Sequence, residues 1–416
     1  MFQALRRAVG QDRLLQKPDF RRFWGSIILT SFGGQITLLA LPLCAVLLLH
    51  ASPAQMGLLV ALEGLPFLLF SLPAGVLLDR SRRLPIMIAS DIMLAATLAS
   101  IPVAWWLGML SMHWMYAVGF ITGTGAVVGG SAEQIFLTFL VGRDGLVEAR
   151  AKFGTTDAAS RLLGPGMAGV LIQLLGAPFA ILFNTSAFIV SLWNLTHIRA
   201  REPAPVYAPA HPVRAIAEGL RFIWGHPLLR TLAWTAATWN LLFSGYVALQ
   251  VLFATRVLGM SPGVLGTAQM LGGLGVLAGS LAMMPLSKRF GSGATILIGL
   301  CGTVVAFALL PCIPAQTGTV TALAYGVVTF FLDMGALLFF MPYISLRQRV
   351  TPDALLGRMT STMRFLGVAG GPAGALLAGA MAESYGVRAA LGGVAAGGVM
   401  LAVAMVFKTQ LRYVKD

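Results

Sequence analysis

Charge is what this sequence has least of. Its 416 residues include 29 Lys and Arg but only 15 Asp and Glu, so that 11% are charged, where a soluble globular domain carries about a quarter. A chain this poor in charge cannot dress a water-facing surface, which excludes a soluble enzyme and a polar disordered protein. Cysteine is equally scarce. Cys44, Cys301 and Cys312 are odd in number and have no CxxC spacing, which excludes a disulfide scaffold and argues against a metal or thiol redox centre; they read as small buried residues. No GxxxxGK[ST] loop occurs, so ATP does not drive the protein directly. No long water-exposed segment gathers the basic residues, so the net charge of +14 does not describe a nucleic-acid surface.

What the chain has in excess is apolar residues, at 57%, with a mean hydropathy of +0.82. A membrane-spanning helix takes roughly 20 of them, which sets a ceiling near twelve spans. Runs between charges and turn residues predict helices over 23–49, 54–78, 84–109, 114–141, 155–175, 177–198, 230–255, 262–286, 292–312, 317–345, 360–382 and 386–407. The charge-free run Phe23–Leu49 is too long for a cleaved signal, whose apolar core is about 7–15 residues. It is predicted to be a retained first span, with residues 1–22 as a cytosolic amphipathic segment at the membrane surface. On this reading every basic residue except Arg256 and Arg388 falls on one side, which places both termini in the cytosol.

The chain also repeats itself at an offset of 209. Pro18, Arg21, Ser52, Pro53, Arg80, Tyr116 and Asp144 recur as Pro227, Arg230, Ser261, Pro262, Arg289, Tyr325 and Asp353. Two parallel six-helix halves follow, 23–198 and 230–408, joined by a charged, Pro-rich linker over 199–229 and closed by a tail over 409–416. Repeats of this kind are a construction plan of secondary transporters, whose substrate site lies between the halves near mid-membrane.

Certain motifs carry a resemblance to a known family. GVLLDRSRR, Gly75 to Arg83, resembles the GxLxDRxGR loop of the major facilitator superfamily, with Arg82 in place of the second Gly. The resemblance implies an all-α membrane fold of twelve helices and a cytosolic gating loop in which Gly75, Asp79, Arg80, Arg82 and Arg83 latch the halves. The latch is single, because Lys288 stands where Asp79 would repeat. RLLGPGMAG in helix 5, with Arg161, Gly164, Pro165 and Gly169, is similar to the GPxxGG signature of the superfamily's exporters, with Ala168 replacing one Gly. LVGRDGLVEARAK (140–152) and AEGLRFIWGHPLLRTL (217–232) resemble the branch containing siderophore exporters, macrolide efflux proteins and a lysophospholipid carrier. The superfamily's basic residue in helix 4 is absent.

Acids within spans come next, since each costs roughly 2.5–3.5 kcal/mol at a helix centre on insertion scales and so marks function by default. Glu63, Asp91, Glu133 and Asp333 are the proton-coupling candidates, because a desolvated carboxylate without a cationic partner can take a proton from one side and give it to the other. Asp91 is close enough to the cytosolic end to pair with Arg80 or Arg83 instead. Helices 1, 4, 7 and 10 line the cavity in this superfamily. Helix 7 presents Trp239, Phe243, Tyr246 and Gln250 on one face, with Asn240 beside them and Gln35 of helix 1 opposite.

GMSPG (259–263) fits a hydrolase pattern, but its repeat partner HASPA (50–54) identifies both as helix starts with Ser as N-cap and Pro at the first position. GGLGVLAG lies inside an apolar span and has no preceding strand. The expectation is a non-enzyme: a monomeric inner-membrane exporter of a small amphipathic compound, embedded in the lipid bilayer, with no cofactor and no nucleic acid partner. A proton gradient drives it, Na+ being the other possible coupling ion. A lysophospholipid carrier and an uptake symporter are the competing readings.

Overall fold

The computed structural model describes residues 12–202, 212–315 and 318–408. The first eleven residues, the middle of the linker and the tail from 409 lie outside the described residues. The helices are α1 (Pro18–Leu43), α2 (Pro53–Arg80) and α3 (Arg83–Trp106), then one stretch, Met112–Leu175, interrupted only at Gly142, and α6 (Ala177–Thr196). Gly142 has φ 74° and ψ 173°, a conformation only glycine adopts cheaply, and it divides the stretch into α4 (112–141) and α5 (143–175). After a linker helix, Pro212–Gly225, come α7 (Pro227–Leu252), α8 (Pro262–Phe290), α9 (Ser292–Leu309), α10 (Thr319–Arg349), α11 (Asp353–Tyr385) and α12 (Val387–Lys408). Eleven described helices are long and apolar enough to cross a membrane, and the break at Gly142 makes the crossings twelve.

The repeat in sequence is a repeat in local geometry. Ser52 and Ser261 cap α2 and α8, each accepting from the amide three residues on, and Pro53 and Pro262 follow at the first helical position. Single wide π turns, Cys44–Leu48 and Phe253–Val257, prolong α1 and α7. His50 (φ 49°) takes the left-handed position that Gly259 (φ 66°) holds in the second half. Packing repeats too. In the first half α1 lies on α5 and α6, and α4 on α2 and α3; in the second, α7 lies on α11 and α12, and α10 on α8 and α9. The halves meet chiefly along two seams, α2 against α11 and α5 against α8.

The helices extend further than hydropathy predicts on the side that carries the linker and most arginines, called here the basic face. Residues 143–154, expected as a loop, are helical, with Glu148–Lys152 at 3.5 Å and Asp157–Arg161 at 2.9 Å supporting successive turns in the i,i+4 arrangement. The N-terminal segment docks there. The Asp12 carboxylate accepts from the amides of Leu14 (3.1 Å) and Leu15 (3.0 Å) and pairs with Lys152 of α5, while Leu14 is buried. Of the cysteines, Cys44 is buried as expected, but Cys301 is half-buried and Cys312 is exposed, its thiol donating to the Ala308 carbonyl at the end of α9.

Candidate functional site

Two adjoining cavities occupy the middle of the molecule. The central one, about 540 Å³, lies between the halves and is lined by Gln35 of α1, Arg161 and Pro165 of α5, Asn240, Phe243, Tyr246 and Gln250 of α7, and Asp333 of α10. The second, about 420 Å³, lies mainly within the first half and contains Glu63, Asp91 and Glu133. Glu63 and Gln250 line both cavities, so Glu63 stands where the two meet. Its stem is held close to α4, where a methyl group on Gly119 would stand 3.1 Å from the Glu63 Cγ.

The structure thus divides the four predicted acids between two places. Asp91 accepts a 2.6 Å hydrogen bond from the Ser191 hydroxyl of α6, and Arg83, one of its two alternative partners, pairs with Glu202 instead. Asp91 and Glu133 line the same cavity. Asp333 and Arg161 both line the central cavity, and the direct partner of Arg161 is Asp157.

Trp239 is the one predicted lining residue that stands elsewhere. It is 3% exposed, stacks on Phe243 (4.7 Å between centroids), meets Phe340 edge-on (4.8 Å), and donates its indole N–H to Thr303 of α9 (3.3 Å). Large rings from α10 close over it, so it supports the cavity wall from behind.

Contacts between the halves concentrate at the face opposite the basic one, the far face. A methyl on Gly169 of α5 would lie 2.6 Å from the Pro262 carbonyl and 2.9 Å from the Gly266 Cα; on Gly57 of α2 it would lie 2.5 Å from the Ala375 carbonyl and 3.0 Å from the Gly379 Cα of α11. Backbone therefore touches backbone at both seams, an approach that needs glycine. Gly164 does the same for α5 on α1, against the Gln35 side chain. Two equivalent polar ties reinforce the seams, neither visible in advance. Gln173 of α5 accepts from the Gly263 amide at the start of α8 (2.9 Å), and Glu383 of α11 accepts from the Ala54 amide at the start of α2 (3.1 Å). Arg256 adds a bond to the Val46 carbonyl (3.3 Å). At the basic face Gly75 has no neighbouring atom within 4 Å of where a side chain would begin. The halves are accordingly packed backbone to backbone toward the far face.

In the gating loop the start of α3 is held by an acid of the linker. Glu202, 6% exposed, accepts from the amides of Arg83 (2.8 Å) and Leu84 (2.6 Å) at the start of α3, with the Arg83 guanidinium 3.7 Å away. The carboxylate caps a helix N-terminus, where the dipole favours an anion, and it ties Arg83 to its own half. Arg80 and Arg82 are exposed at the basic face, and the side chain of Asp79 lies outside the described residues.

Twelve membrane-crossing helices in two repeated halves around a polar central cavity define a membrane transporter of the major facilitator fold. The profile of the transmembrane secretion effector family matches residues 14–416, and the chain belongs to that family. The multidrug efflux pump Tap of Mycolicibacterium fortuitum is 29% identical over 399 residues, covering 91% of this chain and 93% of Tap. The enterobactin exporter EntS of Salmonella typhimurium is 26% identical over 374 residues, covering 88% and 86%. Among solved structures, the nucleoside transporter NupG superposes with a TM-score of 0.73 at 13% identity, over 94% of this chain and 99% of NupG.

Proposed function

We propose that the protein exports a small amphipathic compound from the cytosol across the inner membrane, exchanging it for protons by alternating access. The observation that carries this reading is the central cavity. It is walled by both halves and mixes rings with amide and carboxyl groups, and toward the far face the halves are held by glycine seams and a few polar ties that can part without pulling large side chains from a core. With the basic face in the cytosol, as loop charge favours, the present state accepts substrate from inside. Rocking about the seams then opens the far face. One chain supplies the whole pathway, so a monomer suffices.

Asp333 suits the cationic end of a substrate, with Phe243 and Tyr246 against its apolar part. Glu63, shared by both cavities, is placed to pass a proton between the central pathway and the Asp91–Glu133 pair. The names of the relatives support export of small compounds and leave the compound open. Inside-out vesicles energised with a pH gradient and offered a panel of fluorescent amphipathic cations test the direction. Accumulation above vesicles lacking the protein, lost in Asp333→Asn, is the expected result; accumulation only in right-side-out vesicles would show uptake instead.

A further inference from the structure

Glu63 and Asp333 sit on different helices of their halves, α2 and α10, and at the repeat offset of 209 neither recurs as an acid. Glu63 corresponds to Gly272 of α8, between the matching neighbours Leu62, Gly64 and Leu271, Gly273, and Asp333 corresponds to Thr124 of α4. In space the second half restores what its α8 lacks. A methyl group on Gly272 would overlap Oδ2 of Asp333 and stand 3.4 Å from its Cγ, so the Asp333 carboxylate fills the place where a side chain at the Glu63-equivalent position would begin. The first half makes the same helix contact with the acid on the other partner: the Glu63 Cγ would lie 3.1 Å from a methyl on Gly119 of α4. Glu63 stands ten residues after Pro53, and Gly272 ten after Pro262. That is about 15 Å along each helix, half of a hydrocarbon core of roughly 30 Å. Each half therefore holds one carboxylate at the same depth, near mid-membrane.

Both acids line the central cavity of about 540 Å³, so they reach one space from opposite halves. Among the described residues neither carboxylate has a hydrogen-bond or ion-pair partner. The one basic side chain among the described lining residues, Arg161, is paired with Asp157 at 2.9 Å. A carboxylate withdrawn from water is costly unless it is neutralised, and two of them facing one cavity call for two positive charges. We infer that the central cavity takes an amphipathic dication, with one cationic end at Asp333, the other at Glu63, and the apolar spacer between them along Phe243 and Tyr246. The inference rests on the export reading for the role of Asp333 and adds a second charge to the substrate class. It also gives the divided placement of the acids a use, since a molecule held by both carboxylates bridges the two halves that must rock against each other.

Equilibrium binding to the purified full-length protein in uncharged detergent separates this from transport. The probes are straight alkanes from butane to dodecane with a trimethylammonium group at each end, and decyltrimethylammonium is the monocation for comparison. At some spacer length the dication should bind at least tenfold more tightly than decyltrimethylammonium. That preference should vanish in Glu63→Gln, which removes a charge from an apolar span and so does not threaten insertion. Glu63→Asp should keep the preference and move its optimum to a longer spacer, because the carboxylate withdraws by one methylene; a merely structural role for Glu63 would not move the optimum. A dication that binds no more tightly than the monocation at any spacer length, or a preference that persists in Glu63→Gln, overturns the proposal. If decyltrimethylammonium binding is then still weakened in Asp333→Asn, the export reading stands without the second charge. A Glu63-dependent preference in a protein that moves neither probe in vesicles would refute the export reading and leave the dication site standing.

Discussion

Gly169 offers the sharpest test of how the far face closes. In Gly169→Ala the added methyl group would meet the Pro262 carbonyl at 2.6 Å and the Gly266 Cα at 2.9 Å, against an ordinary contact of 3.4 Å or more, so α5 and α8 must part by roughly 0.5–0.8 Å at that seam. Overpacking of this kind costs about 1–3 kcal/mol. The penalty falls only on the state in which the seam is closed, so the equilibrium should move toward far-face opening by roughly 5- to 150-fold. A cysteine placed at Val276, which lines the central cavity, reports this in a protein whose Cys44, Cys301 and Cys312 have been replaced. Reaction with a membrane-impermeant maleimide added at the far face should quicken at least fivefold in Gly169→Ala, and further when Gly57→Ala opens the second seam. An unchanged rate in folded protein would refute the claim that these glycine contacts are the seal.

Further consequences follow from the supporting residues. Glu202→Ala removes the carboxylate that caps α3, and loss of such a cap costs about 0.5–2 kcal/mol; the melting temperature of the purified protein should fall, while Glu202→Gln keeps part of the capping. Trp239→Ala should cost about 3–5 kcal/mol of stability, as for other large aromatic deletions from a core. Asn240→Ala, next to it but on the cavity surface, should change substrate affinity with little effect on melting, and equal melting of the two variants would put Trp239 back on the wall. Burial raises the Asp12 carboxyl, but the Lys152 ammonium and the Leu15 amide outweigh it and hold the carboxyl below its ordinary value. Docking of the N-terminal segment is therefore complete above the ordinary carboxylate range and is lost as pH falls through the lowered value. Asp12→Asn should reproduce the loss at neutral pH as faster amide exchange at Leu14 and Leu15.

Much of the architecture was legible because it rests on features that span many residues. Twelve apolar runs, a one-sided distribution of arginine and a fixed repeat each survive an error of a few positions. The candidate site was legible only where chemistry is rare: an acid in an apolar run announces itself, as Glu63 and Asp333 do. Which face of a helix meets a cavity depends on neighbours far along the chain. Trp239 and Phe243 lie four residues apart on α7, yet Phe340 and Thr303 close over the first and leave the second exposed to the cavity. The far-face ties were hidden for a related reason. Gln173 and Glu383 are equivalent in space, but their separation of 210 departs by one from the repeat. Glu202, in a Pro-rich linker, looked like solvent-facing charge until the start of α3 was placed beside it.

The central claim is that substrate and proton move in opposite directions through one pathway, with Glu63 and Asp333 carrying the coupling. Inside-out vesicles holding a preformed pH gradient measure it directly. Addition of a transported substrate should dissipate the gradient, and Glu63→Gln and Asp333→Asn should each abolish that response in protein that still folds and reaches the membrane. A substrate-induced response of wild-type size in both variants would contradict the account.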